Sequence, residues 1–275
     1  MKLFQNTPIL MKGILLAGLL SACQNENDIK LAPQAPTGES DQNARTALAV
    51  GKLIKDGQVD LSYQGSGVLS QETYPNVYYQ FTYNPQLITA KRYVNGSPTE
   101  YKYTLDMNGR CIETVTDKTY IYEYDVYGQL TRLYNKNQPN EQTVFTYNTV
   151  NATNSDRSLA TATFYNAQNV KTKALTFGYG GNMAIPDKHP LNPDVLPAGV
   201  SKYLPIFGKF SSNLVQSIYE YKYLLNGQQE SITQYTYSYK LNYAGKATNI
   251  IVKKYSSQGY VPVSSTDRKY FTPSF

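Results

Sequence analysis

Residues Tyr120-Ile-Tyr-Glu-Tyr-Asp-Val-Tyr-Gly-Gln-Leu-Thr-Arg-Leu133 constrain the chain to strand, tight turn and strand. Tyr120, Tyr122 and Tyr124 alternate with Ile121 and Glu123, the period of two that marks a strand with one buried face. Asp125 can cap a turn with its side chain, and Gly128 supplies a residue free to take positive φ. Simple alternation then puts Leu130, Arg132 and Tyr134 on one face of the return strand, with Thr131 and Leu133 on the other.

The same template recurs along the chain. It stands upstream at Tyr103-Thr-Leu-Asp106-Met-Asn-Gly109 and downstream at Tyr239-Lys-Leu-Asn242-Tyr-Ala-Gly245. Looser copies end at Asn84, Asn148 and Asn166, the last with Asn169 where glycine stood. Further turns are expected at Asp56-Gly57, Asn95-Gly96 and Asn226-Gly227. No window after the first two dozen residues carries a helical period. The expectation is an all-β, antiparallel meander of ten to fourteen strands, forming one large curled sheet or barrel-like domain. One strand face is aromatic and the other is Thr, Ser, Lys, Glu and Gln, so the sheet must close on itself or fold into two layers. Strands with Tyr facing lipid are the rival reading. The outward face lacks the Leu, Val and Phe that lipid contact requires.

Tyr122-Glu-Tyr-Asp125-Val-Tyr-Gly128-Gln-Leu-Thr131 resembles the YD repeat of Rhs-type bacterial proteins. Over residues 75 to 255 the chain is similar to uncharacterised Gram-negative lipoproteins with a YD-like, porin-like β domain of unknown function. These combine a lipoprotein signal, Tyr-rich hairpins and a Pro-rich insertion ending near a segment such as Ser211-Ser-Asn213-Leu. The resemblance implies a fold and brings no activity.

Residues 1–22 read as a targeting segment. Lys2 and Lys12 are followed by Ile14-Leu-Leu-Ala-Gly-Leu-Leu20, too short an apolar run to span a bilayer. Leu20-Ser-Ala-Cys23 matches a lipobox, so Cys23 is expected as the acylated first residue of the mature chain. Residues 23–46 are polar and Pro-containing, a flexible tether. Residues 47–275 form a single β domain. The address is an outer membrane-anchored lipoprotein. Cys111 remains the one thiol after Cys23 and is expected as a small buried hydrophobe.

Four of the 26 Lys and Arg and four of the 20 Asp and Glu precede residue 46, so the β domain keeps the whole excess of six positive charges. That excess is scattered rather than gathered in a stripe, which argues against nucleic acid as a partner. His189 is the one histidine and is expected on a solvated loop. No Cys–His or His–His spacing supports a metal, a cofactor or nucleophilic catalysis. A carboxylate pair for hydrolysis needs only two acids joined by the fold, and Glu123, Glu220 and Glu230 lie on strands. Their alternation assigns them to the solvated face.

Residues 178–213 break the meander. They hold Pro186, Pro190, Pro193, Pro197 and Pro205 together with many large apolar side chains, too many for a disordered loop. An ordered insertion is expected at one end or in the mouth of the sheet. Its Tyr203, Phe207 and Phe210 are candidate ligand contacts or, alternatively, a plug. The functional expectation is an envelope-anchored binding or scaffold module for a glycan, peptide or protein. A purely structural hairpin sheet and a carboxylate hydrolase are the alternatives.

Overall fold

The computed structural model describes residues 51–149 and 157–272. The signal peptide, Cys23 and the tether lie outside these residues. Sixteen strands follow in chain order. They are β1 (Leu53–Asp56), β2 (Val59–Tyr63), β3 (Leu69–Thr73), β4 (Val77–Asn84), β5 (Leu87–Val94), β6 (Ser97–Leu105), β7 (Cys111–Val115) and β8 (Thr119–Tyr124). The second half comprises β9 (Leu130–Asn135), β10 (Gln138–Thr149), β11 (Arg157–Tyr165), β12 (Lys171–Gly178), β13 (Ser217–Tyr223), β14 (Gln229–Leu241), β15 (Ala247–Ser256) and β16 (Gly259–Tyr270). Each pairs antiparallel with the next, and β1 pairs with β16, so the meander closes into a barrel. Sixteen strands exceed the ten to fourteen expected, because the segment 51–75 alone contributes three short ones.

The repeated turn has one geometry. At Asp125 the Oδ1 atom accepts the Tyr127 and Gln129 backbone N–H groups, and Gly128 N–H donates to the Asp125 carbonyl. Asp106, Asn166 and Asn242 make the same three contacts. Gly128 has φ of 76°, which its missing Cβ permits at little cost. Asn84 and Asn148 do not belong to this set. Asn84 precedes a two-residue turn with Gln86 at φ 57°, and Asn148 pairs with Ser158 inside a strand.

A register shift follows each such turn. Tyr124 pairs with Leu130, whereas Glu123 pairs with Arg132, so Thr131 is the extra residue of a bulge. The shift corrects the simple alternation: Leu130 and Leu133 are buried, and Arg132 and Tyr134 face outward beside Glu123 and Ile121. Thr131 Oγ1 donates to the Glu123 carbonyl, as Thr172 does to Phe164 and Thr248 to Lys240.

The tyrosine before the turn has a matching role. Tyr124 Oη donates to the Cys111 carbonyl at 2.6 Å, and Tyr147 donates to the Leu130 carbonyl at 2.9 Å. Tyr63, Tyr83, Tyr179 and Tyr270 do the same to Leu53, Leu69, Leu159 and Ala247. In each case a ring packs inward while its hydroxyl pairs a carbonyl at the start of the preceding strand.

Over β4–β11 the inner wall is largely apolar, and the outer wall carries charged pairs. Phe81, Ile88, Tyr101, Tyr103, Tyr122, Phe145 and Ala162 are buried inside. Outside, Lys102 pairs with Glu100 at 3.2 Å, Arg132 with Glu123 at 3.5 Å and Lys136 with Glu113 at 2.7 Å. A membrane-spanning barrel has the reverse arrangement, an apolar outer band around a polar lumen.

The insertion runs over Tyr179–Gln216, between β12 and β13, slightly longer than the 178–213 expected. It leaves from the barrel end where the chain enters β1, the end that also carries the Asp106, Asp125 and Asn242 turns. Here this is called the proximal end. It crosses the lumen, where Ser201 meets Glu72, and Tyr203 meets Asp56 beside Arg268 near the proximal end of β16. It then returns, and the Ile206 and Phe210 carbonyls accept the Cys111 and Leu159 N–H groups, both at 2.7 Å. The aromatic face that needed cover is thus covered twice, by barrel closure and by this internal segment.

Candidate functional site

The insertion packs against the β1–β11 side of the lumen and leaves the β12–β16 side open. A cavity of about 560 Å³ lies between them. Its barrel wall carries Tyr235, Tyr237 and Tyr239, three inward positions of one strand, beside Phe177, Ile250 and Val252. Strand alternation sets that row, since residues two apart share a face. The insertion supplies Tyr179, Pro190, Leu191, Asp194 and Phe210. Toward the far end the inner wall becomes exposed at Lys222, Ser231, Lys254 and Val263, so the cavity opens there.

The floor is ionic. Asp56 pairs with Arg268 at 2.8 Å and with Lys202 at 2.9 Å, and accepts the Tyr203 hydroxyl at 3.0 Å. Burial alone pushes the Asp56 carboxyl up, but Arg268 and Lys202 together outweigh it and hold it below the usual range. Asp187 is shifted the other way: burial raises it more than the His189 backbone N–H and Arg268 lower it. Burial and the nearby Asp194 push the Tyr237 phenol up to about 12. Glu72 lies outside this cavity, under the insertion. Burial raises its carboxyl to about 7 against hydrogen bonds from Ser201 and Tyr74.

The expected contact residues are placed unevenly. Phe207 is fully buried, with its ring 5.1 Å from Tyr122 and 6.4 Å from Tyr103. Tyr203 is buried at the Asp56 ion pair. Phe210 is buried against Phe145 and is the one of the three that borders the cavity. Their rings join the packed interior. Asp106, Gly109, Asp125, Gly128, Asn242 and Gly245 all stand in turns at the proximal end, away from the cavity mouth. Cys23 lies outside the described residues.

Two sequence expectations are corrected here. Glu220 lines the cavity rather than the solvated face, because its strand partners are Leu175 and Thr233 on the inner wall. Glu123 does face outward, and Glu230 is exposed. His189 is half-buried, 5.5 Å from the Tyr270 ring, rather than solvated; burial, then Lys246 and Arg268, push it down to about 4. No group of three metal-ligating side chains occurs among the described residues. The cavity wall on β14 was visible as a long alternation, but nothing in the sequence showed that this stretch of wall would be left uncovered.

No family model matches the chain, and no curated protein matches it. Solved structures do. A porin-like protein from Bacteroides vulgatus aligns over 80% of this chain and 98% of its own, with a TM-score of 0.52 and 15% identity. A porin-like protein from Bacteroides uniformis aligns over 77% and 89%, at 14% identity, with a TM-score of 0.44. The first likeness shows the fold: the chain shares the β-barrel architecture of that porin-like protein.

Proposed function

We infer that this protein is an envelope-anchored lipoprotein whose barrel is a binding module, holding a small saccharide or peptide in the cavity between the insertion and β12–β16. One observation carries this reading. An internal space of about 560 Å³, walled by tyrosines and edged with a few polar groups, has the size and make-up of a small-ligand pocket. The charged outer wall supports attachment by an acylated Cys23 rather than by strands in lipid. The YD-like turns serve as frame, not as site.

A purely structural barrel is the second reading, and the buried Tyr203, Phe207 and Phe210 favour it for the β1–β11 half. It leaves the open tyrosine wall without a purpose. Hydrolysis is a third reading: Asp187, Asp194 and Glu220 border the cavity with Asp56, but Asp56 is held by Arg268 and Lys202 and Glu220 meets Lys222. The test is retention of the mature chain on glycan and peptide arrays, repeated with Tyr237→Ala. A ligand that wild type retains and this variant loses, with unchanged melting, supports the reading. Retention of nothing, or retention indifferent to Tyr237, defeats it.

A further inference from the structure

The cavity mouth carries an unusual charge arrangement. Lys173 on β12 and Lys222 on β13 are direct cross-strand partners. Both face the lumen: Lys173 borders the cavity, and Leu175 and Glu220, two residues along each strand, border it too. Lys254 is the partner of the inward Tyr235 and shares that face. Like charges placed directly opposite on one sheet face repel and destabilise the pairing.

Several other lysines of this barrel meet a carboxylate at close range. Lys55 meets Asp60 at 2.8 Å, Lys118 meets Glu141 at 2.5 Å and Lys136 meets Glu113 at 2.7 Å. At the mouth Glu220 is the one carboxylate in the row, and it reaches Lys222 only at 3.8 Å. Lys173 rests instead on the Phe164 ring, 4.1 Å away. The deeper cations Lys202 and Arg268 both meet Asp56, with Asp187 as a second carboxylate near Arg268. Asp194 stands on the insertion beside Tyr237. Within the lumen the positive excess therefore lies toward the mouth, where Lys222 is level with Ser231, two inward positions beyond Tyr235 on β14.

We propose that the ligand of this cavity is an acidic saccharide, whose uronate carboxylate or sulfate is received by Lys173 and Lys222 while its sugar rings lie against Tyr235 and Tyr237. This deepens the binding reading and rests on it. An anionic group placed between the two ammonium groups turns a repulsive cross-strand pair into two charge-assisted contacts. Tyrosine faces suit the C–H faces of pyranose rings, and Ser264, Thr266 and Asp194 around them can pair sugar hydroxyls.

The experiment uses the mature chain and an array of uronate-containing and sulfated oligosaccharides, each with an uncharged counterpart of the same backbone. Titration calorimetry then follows on the best acidic probe. The expected result is binding to an acidic probe that weakens as salt is raised. Lys173→Gln and Lys222→Gln should each weaken it by about tenfold or more, with melting temperatures no lower than wild type. That last readout separates ligand contact from a structural role, because removing one lysine relieves repulsion in the empty barrel. Equal binding of charged and uncharged probes, or lysine variants of unchanged affinity, overturns the acid-group assignment and leaves the binding module standing. No retention of any probe, charged or neutral, overturns both.

Discussion

Tyr147 donates its hydroxyl to the Leu130 carbonyl at 2.9 Å, across the two strands that follow the Asp125 turn. Leu130 is where the register shifts, and its carbonyl lies near the buried proximal rim. The ring of Tyr147 packs inward, so one side chain supplies both apolar contact and the missing donor. Phenylalanine would supply only the first. Tyr147→Phe should therefore cost on the order of 1–2 kcal/mol, read from urea unfolding. A variant as stable as wild type would remove the explanation for tyrosine at these positions.

Asp56 and Arg268 close the barrel. They are partners in the β1–β16 pairing, and the ion pair between them is almost inaccessible, at 2% and 11% side-chain exposure. Asp56→Ala leaves Arg268 and Lys202 near the lumen without their shared carboxylate. Loss of roughly 3–5 kcal/mol is expected, the range for breaking one side of a buried pair. Because the Asp56 carboxyl is held below its unfolded value, its contribution is present above that unfolded value. It fades as pH falls through the folded one. Chemical denaturation of wild type and variant across the acid range checks both statements.

Glu72 gives the opposite pH dependence. The folded protein keeps a proton on it up to about 7, whereas the unfolded chain releases that proton near 4.5. Stability from this group is full below the unfolded value and is lost as pH rises through about 7, a difference of roughly 3 kcal/mol. Glu72→Gln cannot ionise and can still accept the Ser201 hydroxyl. It should gain stability relative to wild type between roughly pH 5 and pH 8. A stability difference that stays flat with pH would contradict the buried, proton-holding carboxyl.

Gly208 and Gly227 separate close approach from backbone conformation. Both have positive φ, at 79° and 81°. A Cβ on Gly208 would collide with the Gly128 carbonyl oxygen, where the insertion passes under the Asp125 turn, while a Cβ on Gly227 meets open space. Gly227→Ala should cost about 1–2 kcal/mol for the left-handed backbone alone. Gly208→Ala should cost clearly more, and thermal melting of the two variants ranks them. Equal melting temperatures would mean that the insertion yields at this point.

Much of the barrel was legible from residue order alone, and for local reasons. Asp125, Asp106 and Asn242 with their glycines specify turns through contacts within five residues. Tyr120, Tyr122 and Tyr124 specify an inward face through simple alternation. Closure was legible as a requirement, since one aromatic face in a chain without helices has to be covered. What only the tertiary structure decided depends on residues far apart in sequence. The bulge at Thr131 shifts register against a neighbouring strand, so the inward choice of Leu133 over Arg132 cannot be read from period two. The insertion was visible as ordered, but not as a segment that traverses the lumen and fills one half. Its position turns Tyr203 and Phe207 into packing and leaves Tyr235 and Tyr237 open. Lys173 and Lys222, like Asp56 and Arg268, meet only because strand pairing brings them face to face, and pairing partners across long connections leave no mark in the local sequence.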